Sequence, residues 1–215
     1  MNRKERAAET LARLGEAHPD AHCALDHRNA YELTAATILS AQCTDERVNM
    51  VTPVLFKAYP KAADLAAAVI GDVEEIVRST GFYRNKSKSL VGMAKRVTEE
   101  YGGRVPNTMD DLLSLPGVAR KTANVVLGNA FGMNEGVVVD THVQRLSGRI
   151  GLTTHTDTGK IEKDLIKNFP RESWAMLSHL LIWHGRRVCM ARWPHCGVCT
   201  LGKDTCRSFQ PDVEK

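Results

Sequence analysis

An all-α fold is predicted by three features of this 215-residue sequence. Apolar residues recur three and four apart along most of the chain, strand-type alternation is almost absent, and Thr, Asp and Gly stand where helices begin and end. With 43% hydrophobic residues the chain can bury a substantial core, and its length suits one large domain or two small ones. No stretch approaches the roughly 20 continuous apolar residues that a membrane span needs. The amphipathic opening "MNRKERAAETLARLGEAH" lacks the apolar core of a signal peptide, so a cytoplasmic location with no membrane partner is expected. A net charge of +4 permits an anionic partner without requiring one.

Taken in order, "AYELTAATILSAQ" (30–42), "DVEEIVRST" (72–80), "KSKSLVGMAKRVTEEYG" (86–102) and "RESWAMLSHLLIWHGRR" (171–187) each carry helical periodicity. Thr44, Asp72, Thr108 and Asp140 read as N-caps, and Gly81, Gly102 and Gly151 as stops. The one extended candidate is "GVVVD", residues 136–140. No repeat, low-complexity tract or long linker marks a domain boundary.

The stretch "LPGVARKTANVVLGNAF" (115–131) carries the first candidate site. A short helix in "NTMDDLLSL", capped by Thr108, precedes it, so "LPGV" is a tight turn into a second helix. Gly117 allows the turn, and the N–H groups at the second helix's start form an anion site able to grip one phosphate without reading a base. Ala119, Ala123, Val126, Leu127 and Ala130 share one face and are expected in the core. Lys121 points away from that face. In the first helical turn, beside Arg120, its ammonium is placed against the helix dipole, which suits either a plain solvated lysine or an amine meant to react. Asp140 opens the helix "THVQRLSGR", where a carboxylate is favoured; its ordinary reading is an N-cap. An amine and a fixed carboxylate together are what an electrophilic sugar carbon would require.

The cysteines supply the second candidate site. Cys23 and Cys43 are isolated and read as small buried hydrophobes. Cys189, Cys196, Cys199 and Cys206 follow the spacing C-x6-C-x2-C-x6-C. Such crowding in a reduced compartment argues for a metal centre over disulfides, and the spacing alone leaves a zinc site and an iron-sulfur cluster both open. Arg186, Arg187, Arg192, Lys203 and Arg207 surround this loop against one acid, Asp204. That surround could meet a phosphate backbone or offset the charge of a metal tetrathiolate.

The order "LTAATILSAQCTD" (33–45), "TGFYRNKSKSL" (80–90), "LPGVARKTANVVL", "VDTH" and the four-cysteine loop resembles the endonuclease III family, bifunctional DNA glycosylases of the helix-hairpin-helix superfamily. The resemblance runs through to Cys206 and implies a two-lobed all-α fold. A six-helix barrel domain bearing the hairpin would span residues 23–134, and residues 1–22 with 135–215 would form the iron-sulfur cluster domain. It further implies a 4Fe-4S cluster on Cys189, Cys196, Cys199 and Cys206. The implied activity is base excision repair: removal of oxidised pyrimidines such as thymine glycol from duplex DNA, with AP lyase cleavage through a lysine Schiff base. Partners would be double-stranded DNA carrying damaged pyrimidines or abasic sites. The protein would act as a monomer associated with a bacterial nucleoid.

By the same resemblance Lys121 is the nucleophile and Asp140 the essential carboxylate. Gln42 fills the space left by the extruded nucleotide, and Phe82 sits on the wedge loop. Leu115, Gly117, Ala119 and Arg120 of the hairpin, with Arg186 and Arg192 near the cysteines, contact DNA. Three positions depart from the family pattern. Position 119 is usually Gly, the last cysteine spacing is usually five residues, and Leu is common where Phe82 stands. An adenine-mismatch glycosylase, a non-enzymatic hairpin DNA-binding module and a zinc-binding structural protein are the alternatives. The first typically lacks the lysine, the second leaves Lys121 and Asp140 without a shared purpose, and the third would be colourless where a cluster is yellow-brown.

Overall fold

The computed structural model describes residues 1–210, which are helical with no strand among the described residues. In chain order the helices are α1 (Arg3–Ala17), α2 (Ala30–Leu39), α3 (Asp45–Ala58), α4 (Ala62–Ala66), α5 (Ile70–Val77) and α6 (Tyr83–Glu100). They continue with α7 (Met109–Ser114), α8 (Arg120–Ala130), α9 (Thr141–Ile150), α10 (Thr158–Asn168), α11 (Trp174–Arg187) and the short α12 (Gly202–Thr205). Two compact units result: a hairpin unit, Cys23–Glu135, and a cysteine unit made of Met1–His22 and Gly136–Lys215.

In the hairpin unit α2 is the central helix, buried at every position from Tyr31 to Leu39. A helix buried on all sides belongs inside: its Leu33 and Leu39 share one core with the fully buried Leu55, Leu90, Met93 and Leu127 of the surrounding helices. Its one acid, Glu32, is tolerated there because the Arg28 side chain and main chain both donate to its carboxylate, at 2.9 and 2.8 Å. Thr44 and Thr108 cap α3 and α7 by accepting from Arg47 N and Asp111 N. Asp72 does not cap: α5 starts two residues earlier behind Val69, and Asp72 instead lies in the first turn, where an acid also complements the dipole. Cys23 and Cys43 pack, half-buried, against this core.

In the cysteine unit α1 packs on α10, α11 and α12, and α9 packs on α11. Leu14, Val143, Leu146, Ile150, Leu165 and Leu177 form the centre of its core. The expected strand at 136–140 is instead an extended loop. Val137 and Val138 are buried by helices, and the Val138 N–H that a sheet neighbour would take donates to the Ser178 hydroxyl on α11 at 3.0 Å. Its apolar run reports burial, not a sheet. No helix among the described residues is long and apolar enough to cross a membrane.

Candidate nucleic-acid site and cysteine centre

α7 ends at Ser114 with Leu115 as its C-cap, and a hydrogen bond from Val118 N to Leu115 O at 3.1 Å closes the turn. Pro116 and Gly117 occupy its middle, with Gly117 at φ 79°, as a type II turn requires. A Cβ on Gly117 would lie 2.6 Å from Ser89 Cβ of α6, so conformation and close approach both demand glycine. Leu115 is 2% exposed, so its side chain is core, and this position can offer DNA only the backbone of the turn.

α8 then begins with no side-chain cap. Its first N–H groups lack a partner from the preceding residue, which is the condition for anion binding at a helix start. Ala119 occupies the N-cap in extended backbone, φ −96° and ψ 172°, and is exposed. It is therefore not on the core face, because helical periodicity does not reach back to the residue before the first turn. That backbone suits alanine, so the absence of the family's usual glycine introduces no strain. Ala123, Val126 and Leu127 are buried and Ala130 is half-buried, which leaves Arg120 and Lys121 on the exposed side.

Gln42 and Phe82 both sit just beyond helical segments, exposed, with left-handed backbone at φ 54° and 47°. Phe82 is 65% exposed, which overturns the ordinary reading of a phenylalanine as core. It is the N-cap of α6, so that helix starts at Tyr83, three residues before the periodicity at 86. Arg78 and Arg84 lie over the Tyr83 ring at 5.7 and 5.6 Å, placing positive charge beside the exposed phenylalanine.

In the cysteine unit Asp140 caps α9: its carboxylate accepts from Val143 N at 2.8 Å. The far end of the same helix organises the cysteine loop. Arg149 donates to the carbonyls of Met190 and Ala191 at 2.7 and 2.9 Å and to Cys189 Sγ at 3.4 Å. Arg145 donates to the carbonyls of Gly185 and Cys189. Ser208 N returns to Arg149 O at 3.0 Å. α9 thus joins the half-buried carboxylate directly to the loop. Arg149 escaped sequence reading because a basic residue in a last turn is also ordinary dipole complementation, and Arg145 because a mid-helix arginine is usually a solvated one.

Cys189, Cys196, Cys199 and Cys206 line one cavity of about 290 Å³, together with His184, Pro194 and Phe209. Arg149 donates to Cys189 Sγ as above, and the His184 ring Nε2 lies within hydrogen-bond distance of Cys199 Sγ, at 3.4 Å. Burial pushes the Cys199 and Cys206 thiols up, so their thiolate forms call for a cation in the cavity. The four thiols share this cavity, although among the described residues no three His, Cys, Asp or Glu side chains stand close enough together to hold a single metal ion. α12 lies within the six-residue final spacing, and Cys206 lines the cavity with the other three cysteines. Arg186 and Arg192 are exposed on either side of Cys189 in sequence, whereas Arg187 is engaged by Asp20 at 2.7 Å.

The arrangement falls in a defined class of DNA repair proteins. Residues 35–171, which include the hairpin, Lys121 and Asp140, match the HhH-GPD superfamily of base excision DNA repair proteins. Within that superfamily the chain belongs to the endonuclease III family. It is 54% identical over 200 residues to endonuclease III of Synechocystis sp., covering 93% of this chain and 91% of that protein. Endonuclease III of Bacillus subtilis is 43% identical over 206 residues, covering 95% and 93%. Among solved structures, a trapped covalent intermediate of endonuclease III with DNA superposes with a TM-score of 0.90 at 42% identity, covering 97% of this chain and 98% of that one.

Proposed function

We propose that this protein is a bifunctional base excision repair enzyme that removes oxidised pyrimidines, such as thymine glycol, from duplex DNA and cleaves the strand at the resulting abasic site. The observation that carries the reading is the start of α8: a glycine turn delivers an uncapped helix N-terminus, and Lys121 stands exposed in its first turn. The uncapped amides of that helix grip a DNA phosphate beside the extrusion site, with Gly117, Ala119 and Arg120 at the contact. Arg186 and Arg192 add phosphate contacts from the cysteine unit.

Extruding the nucleotide opens the sugar to attack, with Gln42 filling the gap and Phe82 wedging the neighbouring bases apart. The Lys121 amine forms a bond to C1′ as the C1′–N bond to the base breaks, and the departing base takes up a proton. Asp140 stabilises positive charge developing on the sugar and accepts the proton from Lys121. Ring opening yields a Schiff base, which acidifies the C2′ hydrogens, and β-elimination breaks the C3′–O bond. The trapped covalent endonuclease III–DNA intermediate among the relatives supports a covalent route.

The four cysteines would hold a 4Fe-4S cluster, whose contribution when bound is to cross-link the loop that α9 also anchors. We assign the enzyme to the cytoplasm, acting as a monomer on nucleoid DNA.

Borohydride trapping on a duplex with one thymine glycol tests the assignment. A covalent adduct with the wild type that vanishes in Lys121→Gln, with unchanged thermal unfolding, is expected. Base release without any adduct would instead make the enzyme monofunctional. Purified protein should be yellow-brown with a broad band near the violet; a colourless, zinc-containing product would overturn the cluster.

A further inference from the structure

Lys86, in the first turn of α6, is 5% exposed, so its ammonium lies inside the hairpin unit. A buried cation is costly unless its hydrogens are accepted. Here two main-chain carbonyls accept them: Lys86 Nζ donates to Leu39 O at 2.9 Å and to Thr80 O at 2.6 Å. Leu39 is the last residue of α2, and Thr80 ends the 3-10 turn Arg78–Thr80 that follows α5. Carbonyls at helical C-termini lack partners within the helix and favour a cation, so one ammonium closes two helix ends at once.

Both carbonyls lie immediately before the exposed positions of the site. Gln42 follows Leu39 by three residues, and Phe82 follows Thr80 by two. Both hold left-handed backbone, at φ 54° and 47°, although neither is glycine. Such backbone is disfavoured for any residue with a Cβ and persists where the surroundings dictate it. The shared ammonium fixes where both departures from helix begin. Lysine is suited to this because its three tetrahedral donors can serve carbonyls from two directions, whereas a methionine of similar length offers none.

We propose that Lys86 is a positioning residue that clasps the ends of α2 and the Arg78–Thr80 turn, holding Gln42 and Phe82 in fixed register so that they enter the duplex together, and that it thereby governs nucleotide extrusion and not the chemistry that follows. The inference rests on the reading of Gln42 and Phe82 as the residues that enter DNA.

Single-turnover excision by the full-length, cluster-loaded protein tests it on two duplexes. In one, thymine glycol is paired with adenine; in the other, it is unpaired in a bulge, where extrusion costs least. Lys86→Met, Lys86→Gln, Gln42→Ala and Phe82→Ala are compared with wild type. Lys86→Met should slow excision from the paired duplex by about ten- to a hundredfold, the scale of a small misplacement at a distance from the reaction. Excision from the bulge should stay within about twofold, and Lys86→Gln should fall between. Fluorescence of a 2-aminopurine placed beside the lesion should show slower extrusion in step with the paired rate.

An equal loss on both duplexes would make Lys86 merely structural and overturn the inference. So would a changed paired-to-bulged ratio in Gln42→Ala and Phe82→Ala with none in Lys86→Met or Lys86→Gln. An unchanged ratio in Gln42→Ala and Phe82→Ala would sink the insertion reading itself, and the role of Lys86 with it. If Lys86→Met fails to fold, Lys86→Gln carries the same comparison.

Discussion

Two helix N-termini in this molecule solve the same problem in opposite ways. α9 begins with its own carboxylate, Asp140, accepting from Val143 N at 2.8 Å, so the positive end of the helix is satisfied internally. α8 begins behind Ala119, which has no side chain to cap with, and two cations follow in its first turn. A protein that needed only stable helices would cap both. On the proposed function the difference has a use: the start of α8 stays open for a phosphate from outside, while the start of α9 holds its carboxylate in place through the cap it makes. Each N-terminus is organised by what lies behind it: a glycine turn packed on Ser89 for α8, and for α9 a helix whose other end binds the cysteine loop.

The largest expected effect separates the cap that Asp140 makes from the catalytic role proposed for it. Asparagine caps helices about as well as aspartate, so Asp140→Asn should leave the unfolding midpoint nearly unchanged while excision falls about a hundredfold or more. Asp140→Ala should lose the activity and about 1 kcal/mol of stability as well. Retention of near wild-type rates by Asp140→Asn would reduce the residue to a cap.

Acid should separate the two units. The histidines whose basicity burial lowers, among them His18, His142, His179 and His184, belong to the cysteine unit. His179 is pushed down to about 4, first by burial and then by nearby His22. The unfolded chain takes up this proton near pH 6.5 and the folded one only near 4, so the unfolded state binds more protons between those values. Stability from this residue is complete above about pH 6.5 and declines as pH falls toward 4, by up to about 3 kcal/mol. Urea unfolding at pH 7.5 and pH 5 should show a smaller difference for His179→Gln than for wild type. Equal differences would remove His179 from the account.

At the hairpin, Gly117→Ala should cost about 1–3 kcal/mol and weaken DNA binding, since the new methyl meets Ser89 and the backbone is left-handed. The smallest effect is also the sharpest test of the comparison. Ala119→Asp would give α8 the self-capped start that α9 has, and should raise stability by about 1 kcal/mol while lowering affinity for duplex DNA. A variant that gained stability and bound DNA as well as wild type would show that the open helix start has no anion to receive.

Much of this was legible from local sequence. Thr44, Thr108 and Asp140 cap as read, because a cap is a contact between residues three apart and is encoded within one turn. The Leu115–Val118 turn follows from Pro116 and Gly117 alone. Asp72 was misplaced because Asp is favoured both at the N-cap and in the first turn, and only the packing of Val73 and Val77 sets where α5 lies. The "GVVVD" run misled for a related reason: burial makes a sequence apolar whether sheets or helices do the burying.

The sequence by itself determined the helices, the hairpin turn, the amine in the first turn of α8 and the supply of four thiols. Tertiary structure alone decided that α2 is enclosed on every side, that Leu115 turns inward while Phe82 stands out, and that all four thiols line one cavity. It alone placed the Lys86 ammonium between two helix ends and the Arg149 guanidinium on the cysteine loop. The physical reason is one of range. Backbone preference and capping act across a few residues, whereas burial and long-range hydrogen bonding depend on which segments the whole fold brings together.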